Sequence, residues 1–193
     1  MVLFLPLLFV PLLGYAIAAT RAAETDRALG PPPWRLSARL LTDGLWTTIA
    51  IALIALPFGL ALSPLANLLF DAHLYRSSDP AVSLLFARVL ALCLLALPWG
   101  LVMLLHMPHA ASSFAASGKP ADLFNAAAAI RGVRADFATW NLAAAAIVTG
   151  WAIGLACIGV LCVGVVPGLY YAILVSAHAS AAIHHEGARP PAR

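Results

Sequence analysis

The residues whose chemistry could serve a site are few, and the histidines are the first to consider. The six are His73, His106, His109, His178, His184 and His185. The run His106-Met107-Pro108-His109 presents two imidazoles at i,i+3 with Met103 nearby, a set of soft ligands that suits copper. The spacing supplies no third ligand, and Pro108 disturbs the helical geometry that the pair would need. We therefore predict no metal site, and interpret these histidines as the inner end of a membrane span.

Cysteines and carboxylates are equally sparse. The three cysteines, Cys93, Cys157 and Cys162, are an odd number, and the spacing of the last two matches neither a zinc pair nor a redox motif. We interpret them as small apolar side chains. Acids inside a membrane usually mark proton relays, but all eight carboxylates lie outside the apolar stretches: Glu24, Asp26, Asp43, Asp71, Asp79, Asp122, Asp136 and Glu186.

No motif for a serine nucleophile, a phosphate loop or a metalloprotease helix occurs in the chain. Asp43 is the carboxylate closest to an apolar stretch, and we expect it to pair with Arg39 at i,i+4. The sequence thus predicts no catalytic residue, no cofactor and no metal, and the protein is not expected to be an enzyme.

The composition places this sparse chemistry in a membrane. Of the 193 residues, 63% are apolar and 10% are charged, and the mean hydropathy is +0.94. Soluble domains have roughly 45–50% apolar and about 25% charged residues, so most of this surface must face lipid. The formal charge of +3 is spread along the chain rather than clustered, which excludes a nucleic-acid partner.

Uncharged stretches of about 20 residues mark the predicted membrane spans. The first three are residues 1–20, 44–70 and 89–118, the last extended back to about residue 82. The uncharged stretch 137–185 is too long for one span, and glycines and a proline near 162–167 divide it into helices at about 141–158 and 165–183.

These stretches predict an all-α fold. We expect a polytopic membrane helix bundle of about five transmembrane helices with two interfacial amphipathic helices. Residues 1–186 would form a single transmembrane domain, and residues 187–193 a short cytoplasmic tail.

Basic residues orient the predicted spans. Alternate loops carry nine Lys or Arg residues against one, Arg76, when Arg88 inside the third span is left aside. Basic loops stay on the cytoplasmic side, so we predict an inner (plasma) membrane protein with the N-terminus outside and the C-terminus in the cytoplasm. A cleaved signal peptide is the rival interpretation of residues 1–20. No Lys or Arg precedes the apolar run, and the run is too long for a signal peptide.

The two interfacial helices are predicted at Trp34–Asp43 and Asp122–Trp140. The first follows three prolines and sets Trp34 and leucines against Arg35 and Arg39, and the second repeats an apolar residue every seven positions, at Leu123, Ile130 and Phe137. An irregular polar loop is the alternative interpretation of each segment.

Inside the spans the sequence shows packing chemistry. Gly150-x-x-x-Gly154 and Gly164-x-x-x-Gly168 are expected to allow close helix approach. A weak internal repeat is also present: Pro98 and Pro167 each stand eleven residues before a His-Ala pair. Repeats are common in transporters.

The order of several short motifs resembles a prokaryotic integral membrane protein family, domain of unknown function 4013. The matching residues are Gly14-Tyr15, Arg21, Pro33-Trp34, Asp43-Gly44-Leu45, Pro57, Ser117-Gly118-Lys119, Phe124, Ile130-Arg131, Trp140, Cys162, Gly164, Pro167 and His178-Ala179. Such proteins usually begin with a charged amphipathic stretch, whereas this chain begins in apolar sequence. The resemblance implies an integral membrane protein and no particular activity.

We therefore expect a non-enzymatic accessory or scaffold subunit that acts through helix packing. Its partners would be the lipid bilayer and either another membrane protein or further copies of the chain. The alternative is a small transporter or channel component with a polar cavity at mid-membrane, lined by groups such as Asn67, Thr149 or Ser176.

Overall fold

The computed structural model describes residues 5–25, 31–158 and 165–187, and this part of the chain is helical. It contains six α-helices, one short 3-10 helix and no strand, which confirms the all-α prediction. In chain order the elements are α1 (Leu5–Thr25), α2 (Ala38–Asp71), α3 (Pro80–Ser117), the 3-10 helix (Pro120–Phe124), α4 (Ala126–Ala135), α5 (Phe137–Ile158) and α6 (Val165–Gly187).

Three of the described helices are long and apolar enough to cross a membrane. They are α2, α3 and the part of α5 from Phe137 to Gly154. The apolar part of α6, Gly168–Ile183, is shorter. Helices of 34 and 38 residues, as α2 and α3 are, exceed the roughly 20 residues that a span requires. The number of about five spans stays a prediction.

The chain divides into two compact units, which are described one at a time. The main unit comprises residues 1–48 and 105–193, and the hairpin unit comprises residues 49–104. The single transmembrane domain expected over residues 1–186 stays a prediction.

The hairpin unit exposes its large apolar side chains and buries small ones. Its buried side chains are all alanines: Ala50, Ala66, Ala87 and Ala91. Leu60 and Leu97, in contrast, are 70% and 75% exposed. In lipid, small residues allow helices to approach closely while leucines face acyl chains. This distribution therefore fits a bilayer and not water.

The turn of the hairpin unit is built from local hydrogen bonds. Helix α2 ends at Asp71, and His73 then adopts a left-handed φ of 54°. Helix α3 begins with Pro80, and the Asp79 carboxylate accepts the backbone N–H of Ala81 at 2.8 Å. A proline in the first turn and an aspartate before it are favourable at a helix start.

In the main unit α6 packs against both α1 and α5. One buried cluster joins α1, the first turns of α2, and α6 through Tyr15, Ala19, Leu40, Ile173 and Ala177. The rings of Tyr15 and Tyr170 are 5.7 Å apart, and Ala19 lies further along α1 as Ile173 and Ala177 lie further along α6. The cluster therefore joins α1 and α6 around the two tyrosines.

The close helix approach expected at the first glycine motif occurs, and its partner is α6. A Cβ added at Gly150 would meet the side chain of Val175, and one at Gly154 would meet the carbonyl oxygen of Gly168. The Gly150-x-x-x-Gly154 motif therefore faces α6. Of the second motif, Gly164 lies outside the described residues.

The first predicted interfacial helix, Trp34–Asp43, is not a separate element. Residues 31–37 have no regular structure, and α2 begins at Ala38. The Ser37 hydroxyl accepts the N–H of Leu40 at 3.2 Å and so caps α2. Trp34 precedes this cap, and its ring lies 4.7 Å from that of Tyr15. The apolar periodicity after Ser37 thus belongs to the start of α2.

The second predicted interfacial helix, Asp122–Trp140, is divided into three elements by two polar caps. Asn125 accepts the N–H of Ala128 at 3.0 Å and starts α4, and Asp136 accepts the N–H of Thr139 at 3.1 Å at the start of α5. The hydrogen bonds from Thr139 hold the pKa of Asp136 below its ordinary value. Leu123 is fully buried, whereas Ile130 and Phe137 are exposed, so the seven-residue repeat does not form one buried stripe.

Helices α1 and α2 cross with their backbones in contact at Gly14 and Gly44. A Cβ at Gly14 would overlap the carbonyl of Leu40, and a Cβ at Gly44 would overlap the carbonyl of Val10. The contact is reciprocal, so neither glycine can gain a side chain unless the helices separate.

We expect Gly14→Ala and Gly44→Ala each to destabilise the protein by about 1–3 kcal/mol or more, as overpacked contacts do. Gly59→Ala, also in α2, is the matched control because a Cβ there meets no atom within 4 Å. Replacing an open helical glycine gains helix propensity instead. Thermal unfolding in detergent measures both effects, and an equal response of Gly44→Ala and Gly59→Ala would contradict the crossing.

Candidate functional site

The polar groups that the main unit brings together lie where α1 ends, α2 begins and α3 ends. Arg21, in the last turns of α1, connects these three helices. Its Nη2 lies 3.1 Å from Oδ2 of Asp43 in α2, and its Nε donates to the carbonyl oxygen of Ala115 in α3 at 2.9 Å. The Arg21 side chain is 25% exposed and that of Asp43 is 12% exposed. This ion pair is thus largely shielded from water.

The expected partner of Asp43 was wrong: the aspartate pairs with Arg21 and not with Arg39. Asp43 is buried on the side of α2 that faces α1, whereas the Arg39 side chain is exposed. Sequence spacing shows only i,i+4 neighbours on the same helix, and the Gly14–Gly44 crossing instead supplies a partner 22 residues away.

Glu24 lies near this ion pair, three residues beyond Arg21. Burial raises the pKa of Glu24 from 4.5 to about 7, and the positive charge of Arg21 acts in the opposite direction. The carboxyl group is therefore poised to titrate near neutral pH.

His106 fixes the 3-10 helix to α3. Its Nε2 lies 2.7 Å from the carbonyl oxygen of Leu123, the fully buried residue of that helix. Since a carbonyl only accepts, Nε2 carries the hydrogen and donates it. Its other ring nitrogen, Nδ1, is buried and has no hydrogen-bond partner among the described residues. The bond explains how Leu123 reaches zero exposure.

His109 points to a different neighbour from His106. A Cβ at Gly132 would overlap the imidazole of His109, so the ring packs directly on the backbone of α4. The two histidines of the predicted run thus contact two successive elements, the 3-10 helix and α4. Within the described residues no group of three His, Cys, Asp or Glu side chains is arranged to hold a metal ion.

A small polar cavity lies between α3 and the segment that follows it. Its volume is about 60 Å³, and its polar lining comes from His109, Ser113, Asp122 and Asn125. Asp122 accepts a hydrogen bond from the Ser117 hydroxyl, and Asn125 is engaged as the cap of α4. A cavity of this size admits water. Pockets for organic ligands are several times larger.

The side chains considered for a transport pathway are distributed over both units. Asn67 is exposed in the hairpin unit, and Thr149 is exposed on α5. Ser176, on α6, donates its hydroxyl to the carbonyl of Ala172 in its own helix at 2.8 Å.

Within the main unit, Tyr15 and Tyr170 hold the proline-rich segment, residues 31–33, against α1 and α6. The buried Tyr15 hydroxyl donates to the carbonyl of Pro32 at 3.1 Å and lies 2.9 Å from the hydroxyl of Tyr170. Since Tyr15 uses its hydrogen on Pro32, Tyr170 donates to Tyr15. From the sequence, Arg21 was a basic loop residue and part of the family resemblance, and no signal indicated that Tyr15 and Tyr170 would meet.

We expect Asp43→Asn and Arg21→Gln each to lower the free energy of unfolding by about 1–3 kcal/mol, because each leaves a shielded partner unsatisfied. A double-mutant cycle measured by thermal unfolding in detergent should return a coupling energy. Arg39→Gln removes the same charge from an exposed site and is the control. If Asp43 coupled to Arg39 and not to Arg21, the assigned pair would be refuted.

Comparison with protein families gives one match. The family model described as Protein of unknown function (DUF4013) matches residues 1–164, a range that includes helices α1 to α5. No curated protein and no solved structure matches the chain.

Proposed function

The chain belongs to the DUF4013 family of unknown function, and we propose that it is a non-enzymatic accessory or scaffold subunit of the inner membrane that acts through helix packing. The observation that carries the proposal is the distribution of side chains in the hairpin unit, where alanines are buried and leucines exposed. A bilayer is the solvent that makes such a distribution stable. The three long apolar helices agree with it.

The use of the polar groups supports a packing role. Arg21 and Asp43 satisfy each other and the carbonyl of Ala115. His106 binds a backbone carbonyl, and Asn125 caps α4. Catalysis needs acid, base or nucleophile groups converging on a space that admits a substrate, whereas these groups hold helices together.

For the orientation we propose the N-terminus outside and the C-terminus in the cytoplasm. The basis is the excess of basic residues in alternate loops.

Cysteine labelling tests this orientation in a variant that lacks Cys93, Cys157 and Cys162. Leu36, Ser78 and Ala121 are exposed, and as single cysteines they leave the capping hydroxyl of Ser37 in place. We expect a membrane-impermeant maleimide to label Ser78→Cys on intact cells, and Leu36→Cys and Ala121→Cys only after permeabilisation. Labelling of Leu36→Cys and Ser78→Cys from the same side would refute the topology.

Association is the second testable element of the proposal. The full chain, expressed at its native level and extracted in mild detergent, should migrate as a complex with a second copy or another membrane protein. Cross-linking in the membrane before extraction controls for dissociation by detergent. A monomeric particle under both conditions would contradict the scaffold role.

A further inference from the structure

Helix α4 presents an exposed face that the contacts described so far do not use. The helix packs on the main unit through Ala129 and Val133, which are buried. Its outer side carries Ile130, Arg131 and Arg134, which we call the α4 face. Ile130 is 51% exposed, and both arginines are exposed. An exposed isoleucine next to two exposed arginines is typical of a helix that lies in a membrane interface.

The charges of the α4 face are available to a ligand. In the described part of the chain neither arginine is paired with a carboxylate. The two nearest acids in sequence are already engaged, Asp136 by the N–H of Thr139 and Asp122 by the hydroxyl of Ser117. The α4 face therefore offers two guanidinium groups without an internal counter-ion.

The position of α4 in the chain places this face beside the bilayer. Phe137, two residues after the helix ends, is the first residue of the apolar segment Phe137–Gly154 that is long enough to span a membrane. Phe137 is itself 62% exposed, and Phe124, before the helix, is 43% exposed. Exposed aromatic rings on both sides of α4 fit the depth of the lipid headgroups.

We propose that the α4 face binds anionic phospholipid headgroups, with Ile130 inserted towards the acyl chains and Arg131 and Arg134 bound to phosphate oxygens. Guanidinium groups match phosphate geometry with paired hydrogen bonds, and basic residues next to a span are attracted to anionic leaflets. The inference rests on the proposed membrane location of the main unit. It adds a lipid class and the residues that recognise it.

The test compares the full chain in nanodiscs of phosphatidylcholine with nanodiscs of equal parts phosphatidylcholine and phosphatidylglycerol. We expect the anionic lipid to raise the Tm of the native chain, and the R131Q/R134Q variant to lose this shift. Arg76→Gln, an exposed arginine of the hairpin unit, is the control and should retain it. If R131Q/R134Q keeps the full shift while remaining in the disc, the inference fails and the membrane proposal stands.

A depth measurement keeps the test independent of the arginine substitutions. Ile130→Cys and Ala135→Cys each carry a fluorophore in the cysteine-free chain. The two positions are about 140° apart around the helix, from five residues at 100° each, and Ala135 is also exposed. We expect lipid-borne quenchers to quench the label at position 130 and not the label at position 135. Equal quenching at both positions would overturn the assigned face.

Discussion

The backbone contact of α1 and α2 at Gly14 and Gly44 is the constraint on which the main unit depends. Because neither glycine has a Cβ, the helices approach closely. The carbonyl of Leu40 lies where a Cβ of Gly14 would be, and the carbonyl of Val10 lies where a Cβ of Gly44 would be. At that distance Leu40 enters the cluster around Tyr15, and Asp43 comes within reach of Arg21. A larger residue at either position would separate the ion pair as well as the helices. Packing and electrostatics are therefore coupled at one crossing.

The same crossing explains why an ion pair is tolerated in a chain that is 10% charged. Moving two charges out of water costs free energy that their attraction offsets only with good geometry and further hydrogen bonds. Arg21 has both, since it binds the carboxylate of Asp43 and the backbone carbonyl of Ala115. The hydrogen bond to Ala115 joins α3 to the ion pair. The contact that helps to offset the cost of burying the two charges therefore also positions a helix.

The helical class and the close helix approach at Gly150-x-x-x-Gly154 followed from composition and from the motif, because both are local properties of the sequence. The motif did not identify α6 as the partner helix. The partner of Asp43 could not be predicted either, because a contact between helices depends on a crossing that no local spacing encodes. The interfacial helices were misjudged for a different reason. Each segment was predicted as one continuous helix, whereas Ser37, Asn125 and Asp136 are caps at which a helix begins. A polar residue that alternates with apolar ones fits both interpretations, and only its hydrogen bonds distinguish them.

Among the described residues, three polar side chains each bind a backbone carbonyl of another element. His106 does so for the 3-10 helix, Tyr15 for the proline-rich segment and Arg21 for the end of α3. In a membrane, helices gain little from burying apolar surface against each other, since lipid is equally apolar. Hydrogen bonds to backbone at junctions, together with glycine contacts, then determine which helices pack. Side chains that join elements in this way would help the protein to hold a defined shape in the bilayer, as the proposed scaffold role requires.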